Sequence, residues 1–354
     1  MPEAPSPSDQ IQFLMNIQRL LAEGLFTSTY KYALLAALAD LSVELGDDSG
    51  HSLTLSTFAI AEKFAEYYWH HATPYANGGD ARVLRQNTGG PAKIITLILN
   101  ARSLHGDSLP NMLRDASGWA NLVRRVEAVV RQQPLWKLQT VGREKLVFLY
   151  QVNVANDGVV LLPGAAYCFR QFYSLIQDAV RSAWLRDVRS LNGDLLGETL
   201  DLREFLFGTE RNALSVIRPV LMEFREGQCF YCLSPVKEGG GQVDHFIPWS
   251  KYPIDLAHNL VLADNRCNGK KRDRMPHVDH LAKWTNRNER YGADLTARLN
   301  ASFACDLPCA NRVAEWAYIQ TERSGGMTWL LGDDMQPLAP EWRKYLDLTV
   351  PETH

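Results

Sequence analysis

Long apolar runs are missing from this sequence. No stretch approaches the ~18 uninterrupted apolar residues that a membrane-crossing helix needs, so a helical membrane protein is excluded and no membrane partner is expected. Cysteine is scarce, with six in 354 residues. That is too few for a disulfide framework, and a close Cys-x-x-Cys pair in such a chain points to metal or redox chemistry instead. The opening stretch MPEAPSPSDQ lacks both the basic start and the apolar core of a secretory leader, which makes the cytoplasm the expected compartment. Positive net charge is missing too, the total being −3. The total hides an uneven spread: positions 1–75 hold three Lys/Arg against nine Asp/Glu, whereas positions 262–290 hold eight basic residues against four acidic ones. Local basicity decides contact with phosphate, because salt screens distant charge. A solvated helix face accounts for the same cluster when it is taken alone.

What is present is an ordinary globular composition, 46% hydrophobic and 22% charged, in a chain long enough for two or three domains. Residues 1–10 are rich in Pro and Ser and are expected to be disordered. A mainly helical accessory domain is expected over 11–215. Within it Phe13, Leu14, Ile17, Leu20 and Leu21 follow helical spacing, and STYKYALLAALADLSVELG repeats the pattern between a Ser/Thr start and a Gly stop. Further helices are predicted near 115–145 and over 165–192, with a hairpin near 147–162 around Asn156-Asp157-Gly158. A helical tail is expected over 286–354. The fold class expected is mainly α with a small α+β module.

The character changes over 216–285. Cys229 and Cys232 have the spacing of a knuckle that grips one zinc ion. A glycine run then leads to Val243-Asp244-His245, where two ionisable groups sit in an apolar strand that would penalise them if unpartnered. Asn259 precedes a second short strand, NLVLA, and DNRCNGKKRD reads as a helix carrying Cys267 and Asn268. A strand–loop–strand–helix unit of this size is too small to hold itself by apolar burial, so a structural metal is expected.

This segment resembles the HNH, or ββα-metal, endonuclease family. The resemblance is carried by Cys229, Cys232, Asp244, His245, Ile247, Pro248, Asn259, Leu260, Cys267, Asn268 and Lys271, in the family's order. It implies a metal-dependent endonuclease that hydrolyses DNA phosphodiester bonds, with DNA as partner, Mg²⁺ or Mn²⁺ as catalytic cofactor and a structural Zn²⁺. His245 would be the general base, since imidazole titrates near neutral pH. Asp244 and Asn268 would ligate the magnesium ion, and Asn259 would hold the imidazole in orientation. Cys229, Cys232 and Cys267 would bind zinc. Asp264 stands where the family has another cysteine, and either completes that site or caps the helix. Lys270, Lys271 and Arg272 would contact phosphates. An HNH module beside a helical accessory region is similar to restriction and anti-phage defence nucleases, including the nuclease components of Zorya-like systems, which implies defence partner proteins.

Rival readings accompany these. Asp244 and His245 taken alone are a structural charge pair, and Asn259 and Asn268 are turn and helix residues. A zinc-stabilised nucleic-acid-binding module without catalysis, or a nuclease acting on RNA, would use much of the same sequence. His277 and His280 are expected on an exposed helix before Trp284, Cys305 and Cys309 as incidental, and Cys168 in the core.

Overall fold

A computed structural model describes residues 4–24, 27–75, 81–153, 158–193, 196, 202–208, 211–237, 240–300 and 303–346. The protein is mainly α with a small α+β module, and it divides into two compact units, Met1–Gly208 and Thr209–His354.

The N-terminal unit runs α1 (Pro7–Glu23), α2 (Tyr30–Leu45), β1 (Leu53–Ser56), α3 (Thr57–His71), α4 (Lys93–His105), α5 (Leu109–Arg114), α6 (Ala116–Gln132), α7 (Pro134–Lys137), β2 (Thr140–Val141), β3 (Glu144–Lys145), β4 (Tyr150–Asn153), β5 (Gly158–Leu161), α8 (Ala165–Gln171), α9 (Tyr173–Leu191) and α10 (Leu202–Phe207). Helix α2 is the centre of this unit, buried from Tyr30 to Glu44, because its sequence is apolar on every side. Around it pack α3, α8 and α9, while α3 also meets α4 and α6. The hairpin β4–β5 gains β1 as a third antiparallel strand on β5. Residues Asn156 and Asp157 of its expected turn lie outside the described residues.

Several expectations change here. Of the stretch 1–10 expected to be disordered, residues 7–10 are helical, because Ser6 and Asp9 form a reciprocal capping box and proline is suited to the first turn, while residues 1–3 lie outside the described residues. The helix expected near 115–145 stops at Gln132 ahead of Pro134, and Gly142, at φ 59°, turns β2 into β3. The helix expected over 165–192 is two, broken at Phe172.

The C-terminal unit holds α11 (Arg211–Phe224), β6 (Gln242–His245), a 3-10 turn (Ala257–Asn259), β7 (Leu260–Ala263), α12 (Asn265–Lys271), α13 (Val278–Leu299), α14 (Leu307–Arg323), the hairpin β8 (Met327–Trp329) and β9 (Met335–Pro337), and a 3-10 turn (Pro340–Tyr345). Its core joins Ile217 and Leu221 of α11 to Leu260 and Leu262 of β7 and Leu295 and Leu299 of α13. The boundaries expected at 215/216 and 285/286 therefore shift. Helix α11 packs on β6, β7 and α13, and α13 runs unbroken through position 285. The expected tail is part of this unit as well: the Trp329 amide donates to Met275 O at 2.8 Å, the His277 amide to Trp329 O at 2.8 Å, and the Tyr318 hydroxyl to Pro276 O at 2.8 Å.

Candidate active site and metal centre

Tight turns build the knuckle before any metal is considered. Leu233, at φ 62°, lets its amide return to Cys229 O at 3.0 Å, and the Cys229 amide donates to Ser234 O at 2.9 Å. The Phe230 amide ties the turn to β7 through Leu262 O at 2.8 Å. Gly241, at φ 80°, closes the other side, where a Cβ would lie 2.7 Å from Val236 Cγ1, so only glycine fits. The ligand atoms of Cys229, Cys232, Asp264 and Cys267 then fall within 4.8 Å of one another.

Asp264 caps the helix and also faces the thiols. Its Oδ1 accepts from the Cys267 amide at 2.8 Å and caps α12, while Oδ2 accepts from the Cys232 thiol at 3.0 Å. Burial pushes the Cys229 thiol up to about 11 and raises the Cys267 thiol as well, a penalty that a bound cation would offset in favour of the thiolates. Burial acts upward on Asp264 as well, yet hydrogen bonds from Cys232 and the Cys267 amide hold its carboxyl well below the usual carboxylate range. Three thiols and one carboxylate oxygen are a donor set that suits tetrahedral zinc, and zinc fits here.

Strand alternation separates the other candidates. Gln242 and Asp244 share one face of β6, and His245 lies on the opposite face. Asp244 is buried and accepts from the Tyr231 hydroxyl and from Lys271 Nζ at 3.0 Å. Lys271, itself fully buried, also donates to His245 O at 2.7 Å. Burial drives the Lys271 ammonium down and Asp244 opposes it, whereas burial drives the Tyr231 phenol far up and keeps it a donor. Asn268 donates to Gln242 Oε1 at the rim of the same face. The magnesium site implied by the resemblance does not fit these side chains as they stand: an ammonium already balances Asp244, and the Asn268 amide is turned to Gln242.

His245 is held differently. Its Nε2 lies 2.7 Å from Asp255 Oδ1, and the ring stands 5.3 Å from that of Trp249. Carboxylate on Nε2 fixes the proton there and leaves Nδ1 as the basic nitrogen. Among the described residues, nothing hydrogen-bonds Nδ1. Asn259, expected to hold the imidazole, instead clamps the chain two residues on: Oδ1 accepts from the Ile247 amide at 2.7 Å and Nδ2 donates to Ile247 O at 3.0 Å. It shapes the strand exit, and the side chain that meets the imidazole is Asp255. The turn beneath is anchored from α13, where Trp284 Nε1 and Asn288 Nδ2 donate to His258 O at 2.9 and 3.3 Å and the buried Arg287 joins them.

Of the three basic residues expected on phosphates, Lys271 is corrected to an interior ion-pair partner. Lys270 and Arg272 face outward, Lys270 Nζ meeting Asp333 Oδ1 at 2.6 Å. His277 and His280 are also corrected: both are buried, with His280 Nε2 2.5 Å from Leu330 O and burial lowering this imidazole to about 4. Cys168 is buried in the N-terminal unit. Asp255 and Tyr231 escaped sequence reasoning; the Asp255 signal is only an acid in the loop ten residues after the histidine, and Tyr231 lies inside the knuckle.

No helix is long and apolar enough to cross a membrane among the described residues. No curated protein and no solved structure matches the chain. Residues 230–277 match the model of the family described as HNH endonuclease, a span from the knuckle through β6, β7 and α12 to the N-cap of α13, and this similarity supports a nuclease of that type.

Proposed function

We propose that the C-terminal unit hydrolyses phosphodiester bonds of DNA with His245 as general base. The observation that carries this reading is the His245–Asp255 contact at 2.7 Å, set at a strand end inside the matched segment. Nδ1 takes a proton from water, the hydroxide attacks phosphorus, the P–O bond opposite breaks, and the leaving oxygen takes a proton from solvent. Asp255 keeps the productive tautomer and stabilises the imidazolium that forms.

The test is supercoiled plasmid incubated with the full chain, with Mg²⁺ or with chelator. Parent protein is expected to cut, and His245→Ala to lose about a hundredfold or more, the usual scale of general-base loss. Asp255→Asn keeps an acceptor for Nε2 and should fall less far than Asp255→Ala. Plasmid cut equally fast by His245→Ala would remove the assignment. Cutting that stops in EDTA and returns with Mg²⁺ or Mn²⁺ would support the cofactor implied by the family. Asp244 and Asn268 would then be its holders only if Lys271 withdraws.

A second reading, nucleic-acid binding without cleavage, is favoured by the capture of Asp244 in an interior ion pair; DNA binding by a parent protein that cuts neither DNA nor RNA would support it. RNA cut in preference to DNA would reassign the substrate. A role in restriction or anti-phage defence rests on the pairing of an HNH module with a helical unit, and protection of cells in a plaque assay is its test.

A further inference from the structure

Helix α12 has one side turned to β6, where Lys271 is buried, and another turned outward. The outward side is where charge gathers. Arg266 and Lys270, four residues apart, share it, and with Gly269, Arg272, Arg274 and Asp333 they line a cavity of about 440 Å³. Four cations thus face one carboxylate. A side chain beginning at Gly269 would meet no atom within 4 Å, so a ligand can approach the backbone there. Arg272 sits at φ 51°, ψ −122°, a conformation that non-glycine residues avoid and that is commonest at functional sites. Its Nε returns to Gly269 O at 3.0 Å, which lays the guanidinium along the cavity wall. The Arg274 guanidinium is tethered similarly, to Lys270 O at 3.2 Å.

The carboxylate comes from elsewhere in the unit. Asp333 lies in the turn between β8 and β9, and both its oxygens meet Lys270 Nζ, at 2.6 and 2.9 Å. It is 81% exposed, so little free energy opposes its removal from the cations. The Lys270 hydrogen bond and charge, with Arg274 and Arg266 adding to them, hold its carboxyl below the usual range, as they would any anion placed there.

We infer that this cavity is an anion subsite distinct from His245, which takes a backbone phosphate of the nucleic acid, and that Asp333 occupies the phosphate's place until substrate displaces it. The inference rests on the nuclease reading for the identity of the ligand. It adds Arg266 and Arg274 to the expected phosphate contacts, removes Lys271, and makes the β8–β9 turn a built-in competitor.

The experiment is fluorescence anisotropy of a labelled DNA duplex and of a single-stranded RNA, with the full chain carrying His245→Ala so that nothing is cut, over a series of KCl concentrations. Adding Asp333→Asn should tighten binding by about twofold to fivefold, the scale of one exposed ion pair. Arg266→Gln with Arg274→Gln should weaken binding and reduce the salt slope by about 0.9 per lost duplex contact. In that double variant Asp333→Asn should give a smaller gain, since two of the four cations are gone while Lys270 remains. Whichever nucleic acid shows the larger effects is the source of the phosphate. Unchanged affinity on Asp333→Asn, or an unchanged salt slope in the glutamine pair, would overturn the subsite, provided zinc content and melting match the parent. The same substitutions in a parent background keep the two readings apart: plasmid cutting at the parent rate with unchanged binding removes the subsite alone, whereas altered binding in a chain that never cuts removes the nuclease.

Discussion

Asp40 in the N-terminal unit and Asp244 in the C-terminal unit are both buried aspartates, 3% and 7% exposed, and they are satisfied in different ways. Asp40 lies mid-helix and accepts from neutral donors: the Tyr173 hydroxyl at 2.7 Å, Gln177 Nε2 at 2.6 Å and the Tyr67 hydroxyl. Asp244 lies on a short strand and meets one neutral donor, Tyr231, and a full cation, Lys271. Neutral donors let an acid retreat toward its protonated form, and burial does raise the Asp40 pKa. The buried Lys271 ammonium grips both Asp244 and His245 O, so the C-terminal unit places an ion pair directly behind its proposed base. The units differ in the same way at larger scale: one is organised around an apolar helix, the other around a knuckle with little apolar mass of its own.

The sharpest way to separate them is the metal. Cys229→Ser, or chelation, should lower the stability of the C-terminal unit by several kcal/mol and leave the N-terminal unit's melting unchanged, because among the described residues the candidate metal-ligand cluster lies in the C-terminal unit. Calorimetry resolving the two transitions is the check, with metal analysis expected to find about one zinc per chain. A common shift of both transitions would break the comparison. Next in size is Lys271→Met, which strands the Asp244 charge and should cost about 3–5 kcal/mol by urea unfolding. Asp40→Asn should cost about 1 kcal/mol, since its partners can rearrange their hydrogen bonds.

That variant also carries a pH signature. A buried acid whose pKa is raised on folding contributes most below its unfolded value, and the contribution is lost as pH rises from there through the folded pKa. Asp40→Asn should therefore gain stability relative to the parent from pH 4 to 8; a constant difference would mean that burial does not raise the Asp40 pKa. An effect of similar size and opposite sign concerns Leu233, whose left-handed φ of 62° makes Leu233→Gly worth about 1 kcal/mol of added C-terminal stability if zinc is retained.

Much of this comparison was legible in the sequence, and its limits have physical causes. The apolar run of α2, the cysteine spacing and the Asp244-His245 pair are local patterns, and local patterns survive without knowledge of the fold. Asp255 is not local to His245 in any periodic sense; a loop of irregular backbone brings them together. Lys271 read as part of a basic surface because one turn of helix separates an outward lysine from an inward one, and only the position of β6 tells them apart. His277 and His280 are buried by β8 and its flanks, about fifty residues later, a pairing that no short-range pattern encodes.

Asp264 joins two structures that would otherwise be independent. One oxygen starts α12 and the other faces the thiols, and α12, with seven residues, is far shorter than the ~12–15 at which isolated helices become marginal in water. Its outward arginine and lysine therefore keep a fixed spacing only while the knuckle is intact. In that sense an ion held there would work as a gauge: it would set the pitch against which a strand of regularly spaced charges is measured, and a chain without it would still be basic but would have no ruler.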